Sequence, residues 1–298
     1  MSRSQLQRRR NIFPYLVIAP TTLYLLIFTV LPLLNGLHLS FTNAELVNPN
    51  GGDAVGLYNY ARLLGSEKFW NSLLITLLYT LITVLFAVGL GSVGAILMNT
   101  KFKGLALVRA LVTVPWAIPT VASALIFGWI YDSESGVLNK ATQLLGLGRH
   151  GWLDHTQTAL LSVLVATIWS VFPIVLLVVL ASLQSVPREL QEATWLDGAG
   201  SFQSFRAVTL PHIMPTVAIM TLLMTIWSIR RFEIIYLLTG GGPVDSTNTL
   251  VVNVYRTAFQ NQQLGRAAAI GVLGLLLSLV ITVIYFAIER RQSKKDEA

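Results

Sequence analysis

Three charged residues, Arg230, Arg231 and Glu233, lie close together inside a long run of apolar residues. Charged side chains in an apolar run are costly in free energy, and they usually face a polar cavity or an oppositely charged partner. On a continuous helix Arg230 and Glu233 could pair, which leaves Arg231 without a partner on its own helix. Guanidinium groups match phosphate, sulfonate and carboxylate groups. The cluster therefore predicts contact with a passing polar solute, an internal ion pair, or arginines that extend to the end of the apolar layer.

A second candidate region, residues 185–213, is a polar interruption between two long apolar runs. Pro187 suits the first turn of a helix, and Leu190 belongs to a helical pattern that Gly198 can end by taking a positive φ. The residues around Gly198 are small, which allows a partner to approach closely. This segment predicts a short helix that either docks on a protein or lies flat on a lipid surface.

The composition identifies the class of protein that carries these residues. The chain has 298 residues, of which 54% are hydrophobic and 12% charged, and its mean hydropathy is +0.64. A soluble domain carries about twice that charged fraction. The net charge of +7 lies in connections and forms no basic face, which argues against a nucleic-acid partner. The chain has no cysteine, and its histidines show no metal-ligand spacing.

Six apolar runs are long enough to cross about 30 Å of hydrocarbon as helices. We place them near residues 13–34, 72–98, 107–130, 158–184, 214–238 and 267–289. Runs of this length exclude barrel strands. The first run follows Arg8, Arg9 and Arg10 without a small-residue cleavage site after it, so we interpret it as a membrane anchor. The predicted fold class is therefore an all-α membrane protein with six transmembrane helices.

The distribution of Lys and Arg sets the orientation, because cytoplasmic connections are enriched in both. These residues concentrate in the two termini and in the second and fourth connections. Both termini and the 185–213 loop are therefore predicted to be cytoplasmic. We expect residues 1–298 to form one transmembrane domain, with an N-terminal tail at 1–12 and a C-terminal tail at 290–298.

The 185–213 loop also carries a family resemblance. The residues Glu192-Ala193-Thr194, then Gly198, then Val208-Thr209-Leu210-Pro211 resemble the EAA loop of ABC importer permeases, with matching spacing. Thr194 replaces the second alanine of that pattern, and Val208 replaces an isoleucine. The segments Leu238-Thr239-Gly240-Gly241-Gly242-Pro243 and Leu264-Gly265-Arg266-Ala267-Ala268-Ala269 resemble the carbohydrate branch of the family, of the maltose and glycerol-phosphate type.

The resemblance implies the type I ABC importer permease fold and a coupling role for the loop. Clefts in a cytoplasmic ATPase dimer would receive such loops, and ATP-driven closure of that dimer would switch the pore between inward- and outward-facing states. The residues expected at this contact are Glu192, Ala193, Thr194, Asp197, Gly198, Ala199, Leu210 and Pro211. The chain has no Walker A pattern, so we expect no enzyme activity and no cofactor of its own. The partner ATPase would bind ATP and Mg.

The resemblance also implies the remaining partners. An extracytoplasmic solute-binding protein would deliver a sugar or sugar derivative, and a second homologous permease subunit would complete a heterodimeric pore. The lipid bilayer would be the cytoplasmic (inner) membrane of a bacterium or archaeon. Aromatic rings pack on sugar faces while Arg and Glu bond hydroxyls, and two adjacent arginines also admit an acidic sugar. The residues expected along the solute path are Trp169, Trp227, Arg230, Arg231, Glu233 and Tyr236.

Other functions remain open from the sequence. One is a permease for a small solute other than a sugar. Another is a secondary transporter, which should show an internal repeat with broken helices at the midplane, and the sequence shows none. An intramembrane enzyme would need a paired nucleophile and base inside the spans, which we do not find. The tip Gly240-Gly241-Gly242-Pro243 is expected to be flexible, exposed and turned toward the binding protein.

Overall fold

The computed structural model describes residues 15–49, 51–100 and 103–296. The predicted N-terminal tail at 1–12 lies outside these residues, as do residues 297–298 of the predicted C-terminal tail. The rest of that second tail continues the last helix of the chain as far as Asp296.

The described chain is built from helices, and it has no strand beyond two isolated bridges that pair Thr42 with Ala54 and Glu45 with Asn48. In chain order the helices are α1 (Tyr15–Leu39), α2 (Tyr58–Leu64), α3 (Glu67–Met98), α4 (Leu105–Ala117), α5 (Thr120–Ile130), α6 (Val137–Leu144), α7 (Thr156–Gln184), α8 (Arg188–Leu196), α9 (Ser201–Ile229), α10 (Glu233–Thr239), α11 (Leu250–Tyr255) and α12 (Leu264–Asp296). Single π turns lie within α1 at Leu26–Val30, within α9 at Phe205–Thr209, and after α11 at Arg256–Gln260.

Five of these helices, α1, α3, α7, α9 and α12, are long and apolar enough to cross a membrane. The pair α4 and α5 passes the same test together, with a bend of 98° at the break between them. The predicted all-α class is confirmed within the described residues. The predicted number of six crossings is reached when the bent pair counts as one.

The third span is broken, whereas the sequence predicted a single run at 107–130. Helix α4 ends at Ala117, Ile118 is extended with φ −78° and ψ 129°, and Pro119 precedes α5. Proline lacks an N–H and disfavours the helical conformation of the residue before it, which explains why the helix stops here.

The fifth span departs further from its prediction as one helix at 214–238. Helix α9 begins at Ser201, inside the predicted loop, and ends at Ile229. Residues 230–232 are not helical, and α10 begins at Glu233. The predicted pairing of Arg230 with Glu233 on one helix face is therefore wrong. Neither residue belongs to an ion pair within the part of the chain that the structure describes.

The two breaks bear on the alternative of a secondary transporter. Broken helices are expected of that class, and the sequence showed none. The structure has breaks in both the third and the fifth span. Helix continuity therefore does not separate the two classes of transporter, and the distinction has to come from other features.

The chain divides into two compact units, one with residues 1–65 and 254–273 and the other with residues 66–253 and 274–298. In the first unit, the Leu46 N–H donates to the Gln262 carbonyl at 2.8 Å. That bond ties the connection after α1 to the segment before α12. The expectation of one transmembrane domain over 1–298 stays a prediction.

The core of the second unit forms where α3 approaches α7 closely. A Cβ placed on Gly91 of α3 would lie 2.6 Å from the Cβ of Val175 on α7. Nearby in sequence, Tyr79 of α3 is fully buried, and its hydroxyl lies 2.9 Å from Thr167 Oγ1 of α7. Small residues and hydroxyl pairs hold these two spans together, as is common between membrane helices.

Replacing Gly91 by alanine is expected to destabilise the second unit by about 1 to 3 kcal/mol, because the added methyl overpacks the contact with Val175. Gly89 is the matched control on the same helix, since it is exposed and a Cβ there meets nothing within 4 Å. The measurement is the thermal midpoint of the detergent-purified protein. Equal midpoints for Gly91→Ala and Gly89→Ala would contradict the packing described here.

Candidate solute path and coupling surface

The break in the fifth span places its two arginines in different surroundings. Arg230 directly follows α9 and is exposed, whereas Arg231 is half-buried and its backbone N–H donates to the Ser228 carbonyl at 3.2 Å. After the break, Ile234 and Ile235 of α10 are buried and hold that short helix in the apolar core. The chain therefore turns Arg231, rather than Arg230, toward the protein interior.

The Arg231 side chain carries a charge that the protein itself does not fully satisfy. Its Nε is buried without a hydrogen-bond partner, and the guanidinium acts electrostatically on the hydroxyl of Tyr79. A buried polar group that is left unbonded costs about 1 to 3 kcal/mol. The sequence favoured Arg231 over Arg230 as a solute contact because of the supposed Arg230–Glu233 pair. The structure shows that the Arg230–Glu233 pair does not form. It still favours Arg231 as the solute contact, because Arg231 is half-buried and Arg230 is exposed.

Aromatic side chains surround the break. Phe232 and Tyr236 stack with ring centroids 4.9 Å apart, and Trp169 of α7 meets Phe127 of α5 edge-on at 5.2 Å. Trp169, Phe232 and Tyr236 all pack against one apolar cluster, which includes Tyr79. The structure therefore brings two of the predicted path residues, Trp169 and Tyr236, to the same cluster.

Trp227, a third predicted path residue, belongs to a different cluster and stacks on Trp116 with centroids 6.2 Å apart and rings inclined by 17°. Trp116 lies two residues before the break at Ile118, and Trp227 lies three residues before the break at Arg230. The ring pair thus joins the broken ends of the third and fifth spans. Trp116 is not among the residues predicted for the solute path, although its position three residues before Pro119 was an available signal.

Chemically, the break combines an uncompensated cation with aromatic faces. Glu233 is exposed in the first turn of α10, where a carboxylate is favoured by the helix dipole. It therefore has a local electrostatic reason for its position that does not involve neutralising Arg231. Such a site can accept hydrogen bonds from hydroxyls at Glu233 and donate charge-assisted ones from Arg231.

The predicted docking segment forms an exposed helix with a defined end. Helix α8 ends at Leu196, Gly198 has φ +81°, and the Ala199 N–H donates to the Thr194 carbonyl at 3.0 Å. A left-handed residue after the last turn is a common helix stop, and glycine adopts it without strain. The prediction that Gly198 ends this helix with a positive φ is confirmed.

The predicted coupling residues lie on one accessible segment. Glu192, Ala193, Asp197, Gly198 and Pro211 are exposed, and Thr194, Ala199 and Leu210 are half-buried. Apolar side chains are exposed beside them, with Leu196 at 89% and Phe202 at 75%. Exposed apolar side chains grouped in this way are typical of a surface that a partner covers.

Hydrogen bonds fix this segment to the spans on either side. Thr194 Oγ1 donates to Ser204 Oγ at 2.7 Å, which links α8 to the first turn of α9. Ser185 Oγ lies 3.0 Å from His212 Nε2, which links the end of α7 to α9. Thr194 is a departure from the EAA pattern, and its hydroxyl has a structural use that an alanine would lack.

The Gly240–Pro243 tip differs from its prediction as a flexible, exposed connector. Gly241 is buried, and Thr247 Oγ1 donates to the Gly242 carbonyl at 2.8 Å. Asn71 Nδ2 donates to the Asp245 carbonyl at 3.1 Å, and Lys68 Nζ lies 3.5 Å from Asp245 Oδ2. These contacts with the start of α3, far away in sequence, keep the segment folded back onto the second unit.

The connection between the third and fourth spans is also ordered by polar contacts. Buried Asn139 donates from Nδ2 to the His150 carbonyl at 2.9 Å and accepts from Trp152 Nε1 at 3.0 Å. The backbone N–H of Ser135 donates to Asp132, which lowers the pKa of that exposed carboxyl below its usual value. No side chain in this connection is itself identified as a partner contact.

A family model described as the binding-protein-dependent transport system inner membrane component matches residues 84–294. The trehalose/maltose transport system permease protein of Thermococcus litoralis is 33% identical over 290 residues, which are 96% of this chain and 97% of that protein. The sulfoquinovosyl glycerol transport system permease protein of Agrobacterium fabrum is 32% identical over 275 residues, which are 92% and 89% of the two chains.

The fold is similar to that of a solved transporter subunit. A chain in the crystal structure of a bacterial ABC transporter involved in the import of the acidic polysaccharide alginate superposes with a TM-score of 0.85 at 25% identity. The similarity covers 97% of this chain and 99% of that one. The region of similarity therefore includes the breaks in the spans and the exposed helix α8.

Proposed function

The chain belongs to the family of binding-protein-dependent transport system inner membrane components, and from this premise we propose that it carries a sugar or sugar derivative across the inner membrane. Its relatives are permease subunits, so the chain is a transport component rather than an enzyme. We further propose that the solute bears an anionic group. The observation that carries this finer proposal is the half-buried guanidinium of Arg231, which has no ion pair among the described residues, whose Nε is buried without a hydrogen-bond partner, and which lies next to Phe232 of the aromatic cluster.

Chemistry at the break supports an anionic sugar. Tyr236 and Trp169 supply apolar faces for a sugar ring, and Arg231 supplies charge-assisted donors that suit a sulfonate, phosphate or carboxylate. One relative is named for sulfoquinovosyl glycerol, and the structurally similar transporter is described as importing an acidic polysaccharide. Binding of such a solute would satisfy the Nε of Arg231, which has no hydrogen-bond partner among the described residues.

In the proposed mechanism, α9 transmits a displacement from the ATPase contact to the solute contact. Helix α8 would sit in a cleft of the ATPase subunit, which binds ATP and Mg, and Gly198 would act as the hinge between α8 and α9. Helix α9 is continuous for 29 residues, from Ser201 to the break at Arg230. At about 1.5 Å per residue it spans roughly 40 Å, so a displacement at the hinge reaches the solute contact directly. An extracytoplasmic binding protein and a second, homologous permease subunit would complete the pore.

Replacing Gly198 by aspartate tests the coupling role. We expect Gly198→Asp to reach the membrane but to lose both substrate-stimulated ATP hydrolysis and uptake, because a side chain strains the positive φ and obstructs the ATPase cleft. Glu192→Ala should have a milder effect, through the loss of one charge-assisted contact. The measurements are ATPase activity and uptake in proteoliposomes that contain the whole transporter.

Gly148→Asp is the matched control, since Gly148 has φ +77°, open space around it and a position in the connection between the third and fourth spans. It introduces the same charge and a similar backbone strain away from α8, so it should retain uptake. Normal uptake by Gly198→Asp would overturn the coupling assignment.

Substitutions of the two arginines test the solute path. Arg231→Gln should lower uptake at least about tenfold, the loss expected for one hydrogen bond to a charged group, whereas Arg230→Gln should change it little because Arg230 is exposed. Arg231→Lys should also be impaired when the solute is anionic, because an ammonium does not reproduce the guanidinium fork. ATPase docking and membrane level should stay normal in every variant.

Gln and Lys variants at Arg230 and Arg231 are compared in uptake assays with neutral and with acidic sugars. The results distinguish an anionic solute, a neutral solute and arginines with a purely structural role. A partial loss by Arg231→Gln that is clearly smaller than tenfold, together with near-normal uptake by the Arg230 variants, would indicate a neutral solute, since an amide still donates to hydroxyls. Unchanged uptake in all four variants would mean that the arginines are structural.

A further inference from the structure

A second pair of arginines, Arg62 and Arg266, lies in the first unit. Arg62 is in the last turn of α2, and Arg266 is the third residue of α12. Asn59, three residues before Arg62 on α2, donates from Nδ2 to the Thr42 carbonyl at 2.8 Å, and Gly265, next to Arg266, packs against the same carbonyl, so the two positive charges lie close together. Neither of them belongs to an ion pair among the residues that the structure describes.

The backbone holds Arg266 in its place. Gly265 is buried, and its N–H donates to the Ala44 carbonyl at 2.9 Å. A Cβ at Gly265 would overlap the carbonyl oxygen of Thr42, so this approach of the two segments requires glycine. Arg266 is therefore fixed against the connection after α1.

The electrostatic environment of Arg266 is unfavourable for a cation. A positive side chain in the first turn of a helix opposes the helix dipole. The charge of Arg62 adds to this repulsion, and the Nε of Arg266 is buried without a hydrogen-bond partner. A bound anion would relieve both the repulsion and the unbonded donor.

The position of the arginine pair relative to the membrane, and the residues near it, indicate the chemical class of the anion. Arg266 lies at the very start of an apolar span, Leu264–Glu289, which places it at the boundary of the hydrocarbon layer. In the same unit, Leu57 directly before α2 and Tyr58 at its start are exposed by 69% and 58%. Arginine, tyrosine and exposed leucine at this depth are typical of the membrane interface, where the phosphates of lipids lie.

We propose that Arg62 and Arg266 bind the phosphate of a phospholipid headgroup. Arg266 donates through its half-buried guanidinium, Arg62 donates from the exposed side, and Leu57 contacts the acyl chains. The site anchors the start of α12 to the leaflet. Guanidinium groups suit this ligand because their donors match phosphate oxygens in pairs.

Native mass spectrometry of the detergent-purified transporter, with added phosphatidylglycerol or with diacylglycerol of the same acyl chains, tests this proposal. We expect wild-type protein to retain phosphatidylglycerol and not diacylglycerol, a comparison that needs no variant. Arg62→Gln and Arg266→Gln should each weaken retention about tenfold, as expected for the loss of a charge-assisted bond, and the double variant should abolish it. Arg149→Gln is the control, because Arg149 is an exposed arginine of another connection.

Other results would overturn the proposal. Equal retention of the two lipids by wild-type protein would mean that phosphate is not recognised. Equal phosphatidylglycerol retention by wild type and the folded double variant would exclude the arginines as ligands. Thermal stabilisation by inorganic phosphate without lipid retention would identify a free anion as the occupant. A loss of binding-protein affinity in the double variant, with lipid retention unchanged, would instead identify a protein carboxylate.

Discussion

Every backbone polar group inside a bilayer must find its hydrogen bond within the protein, and this constraint decides where the chain can stop being helical. Helical spans meet the requirement by themselves. The breaks at Ile118 and at Arg230 do not, so each must face packed protein or a water-filled cavity. The stack of Trp116 on Trp227 beside these breaks is consistent with a location in the protein interior.

In the proposed mechanism, the continuity of α9 lets a cytoplasmic event reach the solute. A helix transmits a displacement along its axis because its hydrogen bonds are local and continuous, and α9 runs without a break over Ser201–Ile229, beginning shortly after Gly198. Thr194 and His212 tie this helix to its neighbours at the cytoplasmic end that the charge distribution predicts. Arg231 sits where the helix ends, so its position depends directly on that of α9.

Hydropathy and residue spacing were sufficient for the all-α class, for the approximate places of the spans and for the positive φ of Gly198 after α8. The ABC importer family was indicated by the resemblance of the 185–213 loop to the EAA loop. Hydropathy and spacing were not sufficient for the break at Arg230, because the segment has neither proline nor glycine there and its apolar character continues on both sides. The ordered Gly240–Pro243 tip was missed for a different reason. Its contacts with Asn71 and Lys68 join positions that are distant in sequence, and local composition does not reveal them.

Accessibility of the break from the two sides of the membrane is the most direct test of this account. The chain has no cysteine, so Phe232→Cys introduces a single reactive thiol next to Arg231. In the assembled transporter we expect a membrane-impermeant thiol reagent to reach it from the cytoplasmic side without ATP, and from the opposite side only when ATP and vanadate trap the closed ATPase. Labelling that is absent, or that proceeds at the same rate from the same side in both states, would contradict a solute path through this break.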